Sequence, residues 1–277
     1  ITGSSGAGTS SVQKMFNAIC KEEHIRPATI EGDAFHKFDR TGMKAKSEEE
    51  LKKGNNNFSH FGLDANLLKN LEETMANYSK SGIGKTRTYI HNEKEAEKFD
   101  CVNGTFTPWR DLEKDSDMLF YEGLHGSIET DNINIAKYVD LKIGVVPVIN
   151  LEWIQKIYRD HNTRGYSHEA VTDTILRRMP DYVSVICPQF KLTDINFQRV
   201  PIVDTSYPFD AETIPTPDES VVVVSFKDCK NIDFPCLLEI ARIPGLQSLV
   251  VSELNIEKLE YEQLFSVGPI VEIVENA

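Results

Sequence analysis

The 277 residues are 40% hydrophobic and 26% charged, the balance of an ordinary soluble globular protein long enough to bury a substantial core. A formal net charge of −13 excludes broad nucleic-acid binding, which needs a basic field to neutralise phosphates. No apolar run approaches the length of a membrane span, and Cys20, Cys101, Cys187, Cys229 and Cys236 lack metal or CxxC spacing, so they read as reduced thiols of a cytoplasmic protein.

The chain opens on Gly3-Ser4-Ser5-Gly6-Ala7-Gly8-Thr9-Ser10, followed at once by Val12, Met15, Phe16 and Ile19 at helical spacing. A glycine-rich turn opening a helix presents backbone N–H groups at the positive end of a dipole, which is a phosphate site before any side chain is counted. Gly3, Gly8 and Ser10 fit the P-loop pattern GxxxxGK[ST], except that Thr9 stands where the lysine belongs. A flexible linker has the same composition, but a linker has no reason to precede an apolar helical stripe. Because a P-loop normally follows a buried strand, most of that strand is expected to lie before Ile1.

Residues 27–33 read as a short strand ending in an acidic residue, which an open parallel sheet places in the same crevice as the loop. That residue is Asp33. His36, Arg40 and Lys44 follow at i, i+4 and i+8 and on a helix would share one face, with a solvated basic face as the plain alternative. Residues 47–58 read as an exposed loop or helix end, and 62–78 as a helix with Leu63, Leu67, Leu71 and Met75 toward the core. Residues 86–90 read as a strand and 99–109 as irregular. An apolar strand over 117–123 ends in Glu122, placed to hold Mg²⁺ or its water opposite Ser10.

Residues 140–149 read as a strand covered on both faces, and Asn150 as the cap of a helix over 151–160. Lys156, Arg159 and Asp160 cluster on that helix, Arg164 follows in a polar turn, and a helix over 167–178 ends in Arg177 and Arg178. Five cations bracketing one hairpin, at about 156–180, suit a lid that supplies charge over a P-loop and excludes water. A solvated basic hairpin, or a site for acidic partners, is the alternative. From Tyr182 the pattern turns strand-rich, with strands expected at 182–187, 197–205, 220–226 and 246–251, then a helix at 257–265. The expected architecture is one α/β domain over 1–277: a P-loop NTPase-like, mixed, largely parallel sheet flanked by helices, with a helical lid.

These parts describe phosphoryl transfer from ATP to a small acceptor, which works mainly by positioning and charge neutralisation. Asp33 is the candidate general base, a metal-linked or purely structural aspartate being the competing role. Lys156 is the candidate replacement for the missing loop lysine. Arginines beyond what ATP needs imply an acceptor that itself carries phosphate, since arginine grips phosphate bidentately.

GSSGAGTS at 3–10, EGDAFHKF at 31–38, TRTYIH at 86–91, FYEGLHG at 120–126, GVVPVINLEWIQKIYRD at 144–160, TRGYS at 163–167 and ILRRM at 175–179 resemble the bacterial phosphoribulokinases. These belong to the phosphoribulokinase/uridine kinase group, and the resemblance runs to about residue 235. Their P-loop also lacks the usual lysine. The resemblance implies ATP- and Mg²⁺-dependent phosphorylation of the 1-hydroxyl of D-ribulose 5-phosphate, giving ribulose 1,5-bisphosphate for the Calvin cycle. It implies Asp33 as base, Asp160 as a second essential carboxylate and Lys156 as the group stabilising the transferred phosphoryl. His36, Arg40, Arg159 and Arg164 are implied to take sugar phosphate, with Arg177 and Arg178 on the lid side. Arg40, Lys44, Arg164 and the Arg177-Arg178 pair favour a phosphorylated acceptor over a nucleoside.

The resemblance further implies a homo-oligomer, often an octamer, activated by NADH. Arginines of the family's allosteric site align with Glu22 and Ser225, and a third falls in a poorly matching segment near Arg242. Weak or absent NADH stimulation is therefore expected. Two other readings are a related kinase acting on another sugar phosphate or a nucleoside, and a nucleotide-binding regulator without turnover. The joint presence of Asp33, Glu122, Lys156 and Asp160 disfavours the last.

Overall fold

Parallel pairing sets the glycine-rich loop between strands whose C-terminal ends all open at one edge. The computed structural model describes residues 1–228, 249–253 and 271–275. Strand β1 (Thr2–Gly3) pairs in parallel with β6 (Ile143–Val145), and a parallel bridge from Thr2 to Gly123 sets it beside β5 (Met118–Glu122). β5 pairs in parallel with β2 (Pro27–Glu31), with Glu31 opposite Glu122. On the far side, β6 is parallel to β7 (Ile195–Pro201), and β7 is antiparallel to β8 (Ser220–Phe226). β10 (Val271–Glu275) and β9 (Leu249–Glu253) extend the sheet in parallel. The sheet is thus mixed and largely parallel. A small antiparallel ribbon, β3 (Lys85–Thr86) with β4 (Arg110–Asp111), stands apart.

The helices are α1 (Thr9–Glu22), α2 (Arg40–Lys52), α3 (Leu68–Ser81), α4 (Glu93–Phe99), α5 (Ile149–Arg164) and α6 (His168–Asp181). One core packs Ile30 and Ala28 of β2 and Tyr121 of β5 against Leu71 and Met75 of α3. Phe35, from the 3₁₀ turn Gly32–Phe35, seals its end. A second cluster, Ile157, Val171 and Ile175, locks α5 to α6. Between them Gly165 takes a left-handed conformation (φ 73°) that ends α5, and the Ser167 hydroxyl accepts from the Ala170 amide to start α6.

Several local expectations give way to tertiary context. The stripe on α1 is not a core stripe: Phe16 stacks on Phe120, but Met15 is 67% and Ile19 54% exposed. His36 precedes α2 and bridges Asn66, so it does not share a helix face with Arg40 and Lys44. Residues 47–52 continue α2, and Leu63 belongs to a separate 3₁₀ turn, Leu63–Ala65. Extended pairing around 86–90 is confined to β3 and a bridge from Tyr89 to Phe106, and α4 precedes the irregular stretch. Only Ile143–Val145 of the 140–149 run forms a strand, and Asn150 lies inside α5, where its amide donates to the Thr205 carbonyl instead of capping. Val222 on β8 is exposed.

The largest departure is at residues 182–187, expected as a strand. They form a π-helical turn, Tyr182–Ile186, continuous with α6. Pro180 supplies the reason, because its ring nitrogen has no proton to donate to the helical ladder, and the freed turn widens. The buried residues there, Tyr182 and Ile186, are four apart, which is helical spacing. The helix expected at 257–265 lies outside the described residues, as do Cys229 and Cys236. Cys20, Cys101 and Cys187 are free thiols, and no described helix is long and apolar enough to cross a membrane.

Gln189 ties this turn to the sheet. Its Oε1 accepts from the Ser127 amide (3.1 Å), and its Nε2 donates to the Leu124 carbonyl (2.9 Å) and the Val185 carbonyl (3.2 Å). Gln189→Leu leaves these buried backbone groups unpaired and is expected to lower unfolding free energy by about 2–5 kcal/mol in urea titrations. A change below about 1 kcal/mol would remove Gln189 from that role.

Candidate active site

The loop is shaped by its glycines. Gly6 (φ 110°) and Gly8 (φ 98°) occupy the left-handed region, and a Cβ on Gly6 would lie 2.8 Å from the Glu152 carbonyl and 2.9 Å from Lys156 Cβ. The loop therefore rests directly on α5. α1 begins at Thr9, so unpaired amides of its first turn face the space above the loop. Arg159 of α5 also reaches the loop, its Nη2 donating to Ser5 Oγ at 2.9 Å. Ser4 Oγ donates to the Glu152 carboxylate, one turn before Lys156.

Lys156 and Asp160 are 6% and 4% exposed and pair at 2.5 Å. Two further cations hold the other carboxylate oxygen, Arg159 at 2.9 Å and Arg164 at 3.2 Å. Burial works against charge on Asp160, but Lys156 and Arg159 outweigh it and hold its pKa below the usual carboxylate range. Burial, reinforced by Arg178, lowers the Lys156 ammonium to about 8 despite Asp160.

Asp33 stands in the 3₁₀ turn after β2, at the sheet edge where the loop opens. His36 Nε2 lies 3.4 Å from its Oδ1 and His91 Nε2 3.3 Å from its Oδ2, so both carboxylate oxygens carry an imidazole. Burial opposes ionisation, yet His36 and His91, then Arg164 and Arg159, hold Asp33 below its ordinary pKa. Arg159 and Arg164 thus act on Asp33 and Asp160 together. His91 is itself fixed: Glu95 accepts from its amide (2.8 Å), Arg40 Nη2 donates to its carbonyl (3.2 Å), and its ring packs edge-on against Tyr89.

Glu122 ends β5, and burial raises its pKa while a bond from Thr9 opposes the rise. Thr9 supplies the hydroxyl bonded to Glu122, and Ser10 beside it is exposed to the opening. Glu31 faces the same opening; the cleft walls around it, then Asp33 and Glu122, push its carboxyl up.

Arg178 is close enough to the crevice to act on Lys156, Asp160 and Asp33, and with Arg177 it also faces away from the loop. The two arginines line a cavity of about 630 Å³ between α2 and α6, with Lys44, Met43 and Phe58. Arg177 donates to the Phe58 carbonyl at 2.7 Å. The Arg178 guanidinium lies over the Phe61 ring, its buried Nε has no partner, and burial lowers its pKa to about 10.

A family model described as "Phosphoribulokinase / Uridine kinase family" matches residues 1–206. The chain belongs to the phosphoribulokinase/uridine kinase family. It is 62% identical over 238 residues to a phosphoribulokinase of Rhizobium meliloti (strain 1021), covering 86% of this chain and 82% of that protein. A phosphoribulokinase of Nitrobacter vulgaris is 59% identical over the same length and coverage. Among solved structures, phosphoribulokinase from Rhodobacter spheroides superposes with a TM-score of 0.78 at 54% identity, covering 86% of this chain and 82% of that one.

In this family member the loop, Asp33, His36, Lys156, Arg159, Asp160 and Arg164 meet in one crevice. Arg40 is exposed at its rim and touches it through His91, while Lys44 and Arg177 border the adjoining cavity. Sequence reasoning assigned no role to His91 or Glu152. His91 lies within the TRTYIH segment, but only the fold brings it to Asp33.

Lys156 carries its proton below about pH 8 and loses it as pH rises through that value. Turnover is therefore expected to fall on an alkaline limb with an apparent pKa about 8, and Lys156→Arg, whose guanidinium stays charged, is expected to remove the limb. A wild-type profile that stays flat through the alkaline range would contradict the assignment.

Proposed function

We propose that the chain transfers the γ-phosphoryl group of ATP to the 1-hydroxyl of D-ribulose 5-phosphate, forming ribulose 1,5-bisphosphate, the phosphoribulokinase step of the Calvin cycle. The reading rests above all on the convergence, in one crevice, of a glycine loop, an ionised aspartate and a buried Lys156–Asp160–arginine cluster. It is supported by the 62% identity to a protein named phosphoribulokinase.

In this reading the loop amides and the start of α1 hold the ATP phosphates. Lys156 meets the γ-phosphoryl oxygens and replaces the cation that the loop lacks. Asp33 accepts the proton of the sugar O1 as that oxygen bonds to phosphorus and the bond from phosphorus to the departing ADP oxygen breaks. His36, Arg159 and Arg164 hold the acceptor beside Asp33, with Arg40 at the rim. Arg178, with its unpartnered buried nitrogen, and Arg177 and Lys44 suit an anionic end of the substrate in the adjoining cavity. The α5–α6 hairpin serves as the lid.

The donor set fits Mg²⁺ brought in with ATP. Among the described residues no three His, Cys, Asp or Glu side chains form a metal cage, and Mg²⁺ characteristically takes one or two carboxylates with phosphate oxygens and water. Glu122 and the Ser10 hydroxyl, with Glu31 beside them, would hold it, and the ion would neutralise charge on the phosphates. We further propose a homo-oligomer that NADH stimulates weakly or not at all, because Glu22 and Ser225 stand where the family's allosteric arginines align.

ATP consumption measured with ribulose 5-phosphate, with uridine or with no acceptor tests the reading. Acceleration by ribulose 5-phosphate alone is expected; acceleration by uridine, or by neither, would overturn it. Asp33→Asn is expected to lower kcat by ~10²–10⁴-fold with ATP affinity near normal. Replacing Arg164 is expected to weaken sugar-phosphate binding most, read as KM. Lys156→Met is expected to cost ~10²–10³-fold in kcat, whereas Thr9→Val, which loses one hydrogen bond, is expected to cost less than ~10-fold. The reverse ranking would refute the division of the phosphate site between loop and helix.

A further inference from the structure

The reaction described above gives Glu152 no part, yet its surroundings are those of a built contact. It is a glutamate 4% exposed, on α5, one turn before Lys156. Ser4 of the glycine loop donates to its Oε1, and Tyr182 of the π-helical turn donates more weakly to its Oε2 at 3.5 Å. Its backbone carbonyl is the nearest atom to the Cβ position of Gly6, at 2.8 Å. One residue of α5 therefore touches the loop twice, by side chain at Ser4 and by backbone at Gly6.

Burial raises the pKa of the Glu152 carboxyl to about 7 against the bonds from Ser4 and Tyr182, so the group is costly to keep there, and a core-packing requirement alone would be met by leucine or methionine. Its bonding pattern is directional: one oxygen on the loop, the other on the turn following α6. The loop has no lysine of its own, so the distance between its amides and the Lys156 ammonium is not set by covalent connection. That distance is set by how the loop sits on α5. We propose that Glu152 is a positioning residue that registers the glycine loop against α5, so that the loop amides and Lys156 act on the same phosphate chain. The inference rests on the loop being the ATP phosphate site.

The test is steady-state kinetics with each substrate varied, on Glu152→Ala, Glu152→Gln, Ser4→Ala and the Glu152→Ala/Ser4→Ala double variant. Misplacement by about 1 Å costs about 10²-fold in favourable cases, so Glu152→Ala and Ser4→Ala are each expected to lose ~10–100-fold in kcat/KM for ATP. KM for ribulose 5-phosphate is expected to stay within ~2-fold of wild type, because neither residue touches the Asp33 side of the crevice. Glu152→Gln keeps an acceptor for Ser4 and is expected to stay within ~5-fold of wild type. The double variant is expected to be no worse than Glu152→Ala alone, since the two act as one contact.

Retention of kcat/KM for ATP in Glu152→Ala, equal losses for both substrates, or losses that multiply in the double variant would each overturn the proposal. Should Glu152→Ala fail to fold, Ser4→Ala decides alone: an ATP-specific loss supports the registration, and no loss refutes it. A wild-type enzyme that showed no saturation by ATP would instead overturn the reading of the loop.

Discussion

Asp160 is almost wholly buried and nevertheless ionised, and the site depends on that fact. Taking a carboxylate and an ammonium out of water costs several kcal/mol per ion, and a single ion pair seldom recovers it. Here Lys156, Arg159 and Arg164 converge on one carboxylate, so Asp160 is over-compensated and the cluster keeps an excess of positive charge. Without Asp160 the three cations would repel one another and splay toward water. With it, they are held within a few ångströms while most of their charge stays unspent. In a chain of net charge −13 this is a local inversion of the field, strengthened by low-dielectric walls. A phosphate chain is the ligand that such an excess suits.

Topology explains why the cation arrives from α5. β1 and β6 are parallel neighbours, so the loop after β1 and the helix after β6 start at the same sheet edge. Gly6 lets the loop approach α5 until backbone meets backbone, an approach that any side chain would prevent. Lys156, two turns into α5, then sits beside the loop instead of within it. In the proposed reading, phosphate binding is split between a backbone cradle and a side chain on another element. In that reading the acceptor side is built separately, on the turn after β2 and on the segment before α4, and Arg159 and Arg164 act on both halves.

The legible parts of the sequence were those with a local signature. The loop, Asp33 at a strand end, Glu122 at another, the strand over 220–226 and the cationic hairpin are contiguous patterns whose physics is set within a dozen residues. What escaped reading is non-local. The run after Tyr182 looks β-prone because Val183, Val185 and Ile186 are branched, but Pro180 and the burial of Tyr182 and Ile186 on one side make it a π-turn. Met15 and Ile19 have the spacing of a core stripe, yet α1 stacks Phe16 on β5 and leaves both of them exposed. His91 and Glu152 are separated in sequence from the groups they touch by 58 and 148 residues, and no spacing rule spans such intervals.

The environment of Asp33 also bears on how the proton moves. A general base is most effective with a pKa near the working pH, yet His36, His91 and two arginines hold this carboxylate below its ordinary value. The contradiction dissolves if the transition state is loose. In a metaphosphate-like transition state the attacking hydroxyl bonds weakly to phosphorus and keeps its proton until late. Once the new bond forms, the oxygen becomes strongly acidic and a weak base suffices. In the proposed reading Asp33 then has two duties, to stay ionised so that it orients the hydroxyl by accepting its hydrogen bond, and to receive the proton at the end. The paired imidazoles serve the first duty at little cost to the second, since each carboxylate oxygen keeps a lone pair when one imidazole is bound.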